Sequence, residues 1–373
     1  MIYLDNAATA RPFPGAAAAA HAAMAEGFGN PSSVHTLGRQ AREGLESARR
    51  NVADLLGCAA KCVTFTSGGT ESINTALQSA AAKGRRRGTH IVSTEIEHDA
   101  VLAVLASLKN QGFSVTLVPP EPDGTVREAA MLNALRDDTI LVSMQAVNNE
   151  TGARLPYGAV AAALKRRNPR AAFHLDAVQA LGEEVLDLKS IDFASVSGHK
   201  IGGIKGSGAL YMAPAAKLRP LLLGGGQENN LRSGTEAMPA IAAFGAAATW
   251  RLEHRNAHRA HLSALRTALL QGLETREVRF RLNSPEGAAP HIVSLSVAGA
   301  PSEVYIRLLS DAGICVSGGS ACKRGKRSHV LASMKMDSRD IDSTLRVSLS
   351  PLTEMAEIEA FIDTISQLQK TFP

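Results

Sequence analysis

Aromatic residues are scarce: Phe, Trp and Tyr make up 4% of the 373 residues, with a single Trp. Platforms that stack nucleobases are built from such side chains, so the chain has little from which to build one. Cysteines are few as well, at Cys58, Cys62, Cys315 and Cys322. Cys58 and Cys62 stand in a CxxxC spacing with no partner cluster, which argues against a zinc site, and no metal is expected. With so few cysteines and no secretory signal, the expected location is a reducing cytoplasm. Long apolar runs are missing too. The alanine-rich stretch 15–24 is short and interrupted by His21, so no membrane span is predicted. Nor is one sign of charge in great excess: 40 Lys and Arg against 35 Asp and Glu give a formal net charge of +5. The basic residues are spread along the chain, which reads as solubility and not as a nucleic-acid footprint.

What is present is a globular balance, 45% hydrophobic and 20% charged, in a chain long enough for a large domain and a smaller one. Ala41, Leu45, Ala48, Val52, Leu55 and Leu56 recur at three and four, one face of an amphipathic helix, and Gly57 supplies its stop. β-rich runs follow at Val63–Thr66, His90–Thr94, Val115–Val118, Ile140–Met144, Phe173–Leu175, Phe193–Val196 and Ala209–Met212. Helical stretches such as Ala100–Asn110 and Pro156–Arg167 lie between several of them. Strands separated by helix-length connections predict βαβ units, hence a mainly parallel seven-stranded sheet buried on both faces. After residue 250 the pattern changes. A long polar helix around Glu253–Glu274 leads to strands Ile292–Val297 and Leu345–Ser348 and to a closing amphipathic helix that carries Ile358, Phe361, Ile362, Ile365 and Leu368. The expected division is a large α/β domain over 13–252 and a smaller α+β domain formed by 1–12 with 253–373.

Parallel sheets bind ligands beyond the carboxyl ends of their strands, so those positions carry the candidate chemistry. After Val63–Thr66 comes Ser67-Gly68-Gly69-Thr70-Glu71, opening a helix. Small residues there let backbone N–H groups approach an anion such as phosphate, and they equally suit a plain strand-to-helix turn. The order is not that of a Walker loop. His98, in Glu97-His98-Asp99, is either a helix cap or a ring facing an aromatic cofactor. Asp176 follows Phe173–Leu175. It is either an N-cap or the partner of a buried cation, and a pyridinium nitrogen is such a cation. Lys200, in Ser197-Gly198-His199-Lys200, follows an apolar strand amid small residues. It is either a surface lysine or a desolvated amine, neutral enough to form a Schiff base.

These residues, taken in order, resemble one family: the cysteine desulfurases, within the class V aminotransferase group of fold-type-I pyridoxal-phosphate (PLP) enzymes. The likeness rests on Tyr3–Thr9, Phe28-Gly29-Asn30-Pro31-Ser32-Ser33, Phe65–Ser72, Glu97-His98 and Val147–Gly152. It continues through His174–Gln179, Ser197–Lys200, Arg232-Ser233-Gly234-Thr235, Ser320-Ala321-Cys322 and Arg346–Leu349. The resemblance implies PLP as cofactor, with Lys200 its Schiff-base lysine and Asp176 the partner of its pyridine nitrogen. It implies that Gln179 bonds the phenolic oxygen and that His98 stacks on the ring. Gly69, Thr70, Ser197 and His199 would hold the phosphate, with Thr235 reaching over from the second subunit of a homodimer. Asn149, beside the cofactor, and Arg346 would orient the substrate carboxylate, and Cys322 would be the nucleophile.

The implied activity is conversion of L-cysteine to L-alanine. Sulfur is carried as a Cys322 persulfide to an acceptor or scaffold protein serving iron–sulfur cluster assembly or tRNA thiolation. A selenocysteine lyase or a class V aminotransferase is the alternative within enzymes, and a non-catalytic scaffold for sulfur-transfer partners is the alternative outside them. Two departures stand out. The segment after the lysine, Ile201–Gly206, lacks the tyrosine and proline that relatives often carry. The loop after Cys322, Lys323–Ser328, is short and basic, and its charges are expected to favour a Cys322 thiolate. Cys315, in Ile314-Cys315-Val316, is expected to be buried and structural, as are Cys58 and Cys62.

Overall fold

The computed structural model describes residues 1–319 and 327–372. Thirteen strands occur among them. β1 is Ile2–Tyr3, and β2 to β8 are Val63–Thr66, His90–Thr94, Ser114–Val118, Thr139–Gln145, Ala172–Asp176, Phe193–Ser197 and Gly208–Met212. β9 to β13 are Phe280–Leu282, Ile292–Val297, Ile314–Cys315, Ser317–Gly318 and Thr344–Ser348.

β2 to β8 form one seven-stranded sheet in the order β2-β8-β7-β6-β5-β3-β4. β8 runs antiparallel to both its neighbours, and the remaining pairs are parallel. The expected sheet is therefore found, with each strand extending a residue or less beyond its predicted span. Its inner strands β3, β5 and β7 are buried along their whole length because helices cover both faces, as parallel sheets require.

Helix Thr36–Leu56 buries the predicted stripe of Ala41, Leu45, Ala48, Val52, Leu55 and Leu56, each large apolar side chain contributing about 1.5–3 kcal/mol. It stops at Gly57, whose φ of 72° is the left-handed conformation that glycine adopts without strain. The alanine-rich run near the start becomes helix Pro14–Ala25, laid against helix Met238–Glu253. Phe13 stacks on Trp250 beside it, with ring centroids 4.7 Å apart. Among the described residues no helix is long and apolar enough to cross a membrane.

The long polar helix begins two residues later than expected. Met238–Glu253 ends at His254, whose φ and ψ of −108° and 10° are not helical, and Arg255–Thr275 then starts afresh. Hydrophobic patterning on both sides of such a break looks continuous, so periodicity alone cannot place it. The C-terminal part forms the four-stranded antiparallel sheet β12-β13-β10-β9, and β1 pairs with β11 in parallel. A separate core lies here, built from Leu4, Leu262, Leu269, Leu295, Phe361 and their neighbours. Residues Ala289, Ile292, Val330 and Leu331 belong instead to the main core under the large sheet. Of the cysteines, Cys62 is buried, whereas Cys58 and Cys315 are only half-buried, a correction to the expected burial of all three. Cys315 sits on the short two-strand pairing of β1 with β11, too small a sheet to cover it.

Candidate active site

The carboxyl ends of β5, β6 and β7 open on one cavity of about 260 Å³. Its walls include Gly69, Thr70, His98, Asn149, Asp176, Gln179, Ser197, His199, Lys200 and Arg346, brought together from six separate stretches of chain. Thr235 is exposed and does not line this cavity, and Cys322 lies outside the described residues.

The phosphate-cradle residues sit where β2 gives way to helix Gly69–Gly84. Gly68 offers that helix no side-chain cap, so the first-turn N–H groups and the positive end of the helix dipole face the cavity end. A Cβ on Gly69 would lie 2.8 Å from Val178 Cγ2, which also lines the cavity. Gly69→Ala is therefore expected to displace Val178 and weaken cofactor binding by about 1–3 kcal/mol. Fluorescence titration of the apoprotein with PLP measures this, and an unchanged affinity would contradict the close-packed cradle. Glu71 braces the same turn. It accepts from the Ser67 N–H at 2.9 Å and from Arg232 Nε at 2.9 Å and Nη2 at 3.2 Å. Despite partial burial, these donors hold its carboxyl below the usual range.

Asp176 ends β6 and is 5% exposed. Its Oδ1 accepts from the Val178 N–H at 3.0 Å, closing a turn; no helix follows, so the N-cap expected as one alternative is not found. Burial pushes its carboxyl above the ordinary value, against the opposing charges of His98 and Lys200 and the Val178 bond. A carboxylate held this way is short of a cation, and a protonated pyridine nitrogen is one that fits. His98 is the helix cap that the sequence allows, its Nδ1 accepting from the Ala100 N–H at 3.1 Å, and it also lines the cavity.

Lys200 ends a short 3₁₀ turn, Gly198–Lys200, directly after β7. Nζ donates to Ala7 O at 2.6 Å and Ala8 O at 2.8 Å, so this lysine is turned inward and not out to solvent. Gln179 Nε2 donates to the same Ala7 O at 3.0 Å, leaving its second N–H for another acceptor. His199 Nδ1 is 3.1 Å from Thr9 Oγ1, and burial with the nearby Lys200 and Lys205 charges lowers its pKa to about 4. The imidazole is thus neutral at physiological pH.

Arg346, on β13, is 2% exposed. It donates to Asn149 O at 3.0 Å and to Asp5 Oδ1 at 2.9 Å, while its Nε is buried without a partner among the described residues. An orphaned guanidinium N–H at a cavity wall is the donor that an incoming carboxylate would satisfy.

A family model described as aminotransferase class V matches residues 2–361. The chain belongs to that family. It is 39% identical over 365 residues to cysteine desulfurase 2 of Trichormus variabilis, spanning 96% of this chain and 90% of that one. Cysteine desulfurase IscS of Methanosarcina thermophila is 37% identical over 375 residues, covering 98% and 91% of the two chains. Among solved structures, a NifS-like protein matches over 100% of both chains with a TM-score of 0.94 and 34% identity.

Sequence reasoning passed over several residues of this class V aminotransferase site. Gln145, at the end of β5, lines the cavity, and Ala7 and Ala8 supply the carbonyls that hold Lys200. Asp5, paired with Arg346, was quoted in a motif without a role. Glu97 is fully buried. It accepts from Thr94 Oγ1 at 2.7 Å and from the Gln145 N–H at 3.1 Å, and desolvation raises its pKa to about 8. Its signal in the sequence is an acidic residue three positions past a buried strand, next to His98. Of the basic residues expected to favour a Cys322 thiolate, Arg327 is held by Asp342 through two bonds of 2.7 Å, and Lys323, Arg324 and Lys326 lie outside the described residues.

Proposed function

We propose that the protein is a PLP-dependent cysteine desulfurase, on the strength of one observation. A single cavity combines an inward-turned lysine, a cation-seeking buried aspartate, a ring-bearing histidine and an arginine with an unpaired N–H. The names of the full-length relatives support the same reading.

PLP, when bound, supplies a sink for the electrons released at the substrate Cα. The chain's own residues do the rest. Lys200 anchors the cofactor, then accepts and returns the Cα proton. Asp176 holds the positive charge of the ring nitrogen. His98 covers the ring face and Gln179 bonds the phenolic oxygen. Gly69, Thr70, Ser197 and the neutral His199 bind the phosphate. Arg346 and Asn149 fix the substrate carboxylate, with the Arg346 Nε gaining the partner it lacks. The Cys322 thiolate attacks the sulfur of L-cysteine, so an S–S bond forms as the C–S bond breaks, and alanine leaves after protonation. An acceptor thiol then takes the persulfide sulfur, for iron–sulfur cluster assembly or tRNA thiolation.

The division into 13–252 and 1–12 with 253–373 belongs to this proposal, supported by the separate core around Phe361. So does a homodimer in which Thr235, away from its own cavity, serves the second subunit. A cytoplasmic location accords with free thiols at Cys58, Cys62 and Cys315.

The direct test is alanine release from L-cysteine and a reductant by the PLP-loaded protein. Catalytic alanine formation is expected. Its absence from a protein that keeps its cofactor would redirect the assignment to transamination. Cys322→Ala is expected to abolish this turnover while the yellow cofactor stays bound, and surviving turnover would remove Cys322 from the nucleophile's place.

A further inference from the structure

Arginines that are spread along the sequence gather in space at the end of the sheet away from the cavity. Arg85, Arg86 and Arg87 precede β3, Arg136 precedes β5, and Arg166, Arg167 and Arg170 precede β6. All seven are exposed. Their three segments, 85–87, 136–138 and 166–170, contain only two acidic residues, Asp137 and Asp138. The surplus of five positive charges equals the formal net charge of +5 of the whole chain, so the remainder of the protein balances to zero. Because these segments sit at the amino ends of parallel strands, the length of β5, about 20 Å, separates them from the cavity.

Two observations carry weight here. First, the guanidinium charge of the patch is not cancelled locally: among the described residues only Arg167 meets a carboxylate, Asp137 at 3.6 Å, whereas the exposed Arg127, Arg276, Arg281 and Arg327 are paired at 2.7 Å or less. Second, Arg87, Arg136, Arg167 and Arg170 surround one concavity of about 400 Å³, with Thr139 and Asn168 in its wall. The local backbone fixes its rim, since Arg87 Nη2 donates to Arg170 O at 3.1 Å and Asn168 Nδ2 to Thr139 O at 2.9 Å.

We propose that this concavity is a docking site for an acidic peptide segment of a partner protein. The guanidinium fork matches a carboxylate with two parallel bonds, and arginine, with no lysine among the lining residues, supplies every positive charge there. A nucleic acid fits less well. The concavity has no aromatic side chain on which a base could stack. The exposed Asp137 carboxylate can accept from a peptide N–H, but phosphate groups offer it no donor. Docking at this end leaves the cavity open, so such a partner organises or regulates the enzyme and does not itself receive sulfur there.

The test is fluorescence anisotropy on the PLP-loaded full chain, with a labelled ten-residue glutamate peptide and a labelled single-stranded RNA as probes, at matched salt. The quadruple variant R87S/R136S/R167S/R170S is expected to bind the peptide at least about tenfold more weakly while alanine formation is retained. R86E/R166E, at two neighbouring arginines whose side chains make no hydrogen bond among the described residues, is expected to weaken binding too and guards against misfolding of the first. A control that removes as much charge elsewhere, R50S/R259S/R307S/K370S, should leave binding within about twofold. Equal loss in the control, no loss in the patch variants, tighter binding of the RNA, or competition between the peptide and L-cysteine would each overturn the proposal.

Discussion

Replacing Lys200 by alanine is expected to cut alanine formation from L-cysteine by at least about 10²–10⁴-fold, the usual cost of losing a positioned proton-transfer group. The loss should exceed that range if cofactor anchoring fails as well. The geometry explains why the effect is confined to chemistry. Lys200 donates to Ala7 O and Ala8 O from its side chain, and its turn is held by backbone bonds such as Ile201 N–H to Gly198 O at 3.2 Å. The variant should therefore keep the wild-type far-UV circular dichroism. It should also lose the visible band that marks cofactor joined to lysine, even when PLP is added in excess. Exogenous methylamine, a small amine that fits the space left by the side chain, is expected to restore part of the rate. Unchanged turnover in Lys200→Ala would dismantle the proposed mechanism, because among the described residues no other lysine lines the cavity.

The sheet and most of the cavity were legible from sequence because each rested on a strong local signal. A strand buried on both faces reads as a short, mainly apolar run without strict alternation, and β5, β6 and β7 are of that kind despite Ser143, His174 and Ser195. Residues at the ends of those strands or just past them share one end of the sheet, so the strand pattern alone groups Asp176, Ser197 and Lys200. Their roles were ambiguous between a capping function and a cofactor function. For His98 the two are compatible, since Nδ1 caps the helix while the ring lines the cavity, whereas no helix follows Asp176 and its Oδ1 closes a turn on the Val178 N–H. What stayed hidden were pairings over long sequence distances. Nothing local to Asp5 says that it will meet Arg346, 341 residues away. Nor do the scattered Arg87, Arg136, Arg167 and Arg170 announce that three αβ connections will bring them around one concavity. Composition averages over the surface, and only the fold turns it into a pattern of charge.

The same blindness covered the buried pair Arg49–Glu228, whose rupture is expected to be the most damaging change to stability outside the apolar cores. β2 is an edge strand, so its outer N–H and C=O groups need partners. Arg49 Nη1 donates to Val63 O at 3.0 Å, and Glu228 Oε2 accepts from the Phe65 N–H at 2.8 Å. The two side chains also bind each other, at 2.6 and 2.8 Å, with 6% and 2% of their surfaces exposed. Together they complete the ladder as a neighbouring strand would, directly below the phosphate cradle. They also hold a strained turn, for Glu228, Asn229 and Asn230 take φ values of 50°, 56° and 65° in succession. Glu228→Gln leaves the Arg49 charge buried with only the peripheral Glu46 to meet it, and a loss of about 3–5 kcal/mol is expected from urea denaturation. The double variant R49M/E228L discriminates between explanations. If the pair were only two charges, an apolar replacement would recover most of the stability. Because the charges also serve Val63 O and Phe65 N, the double variant should remain at least about 2 kcal/mol below wild type, the cost of leaving two buried backbone groups unpaired. Full recovery would show that the edge of β2 finds its hydrogen bonds elsewhere.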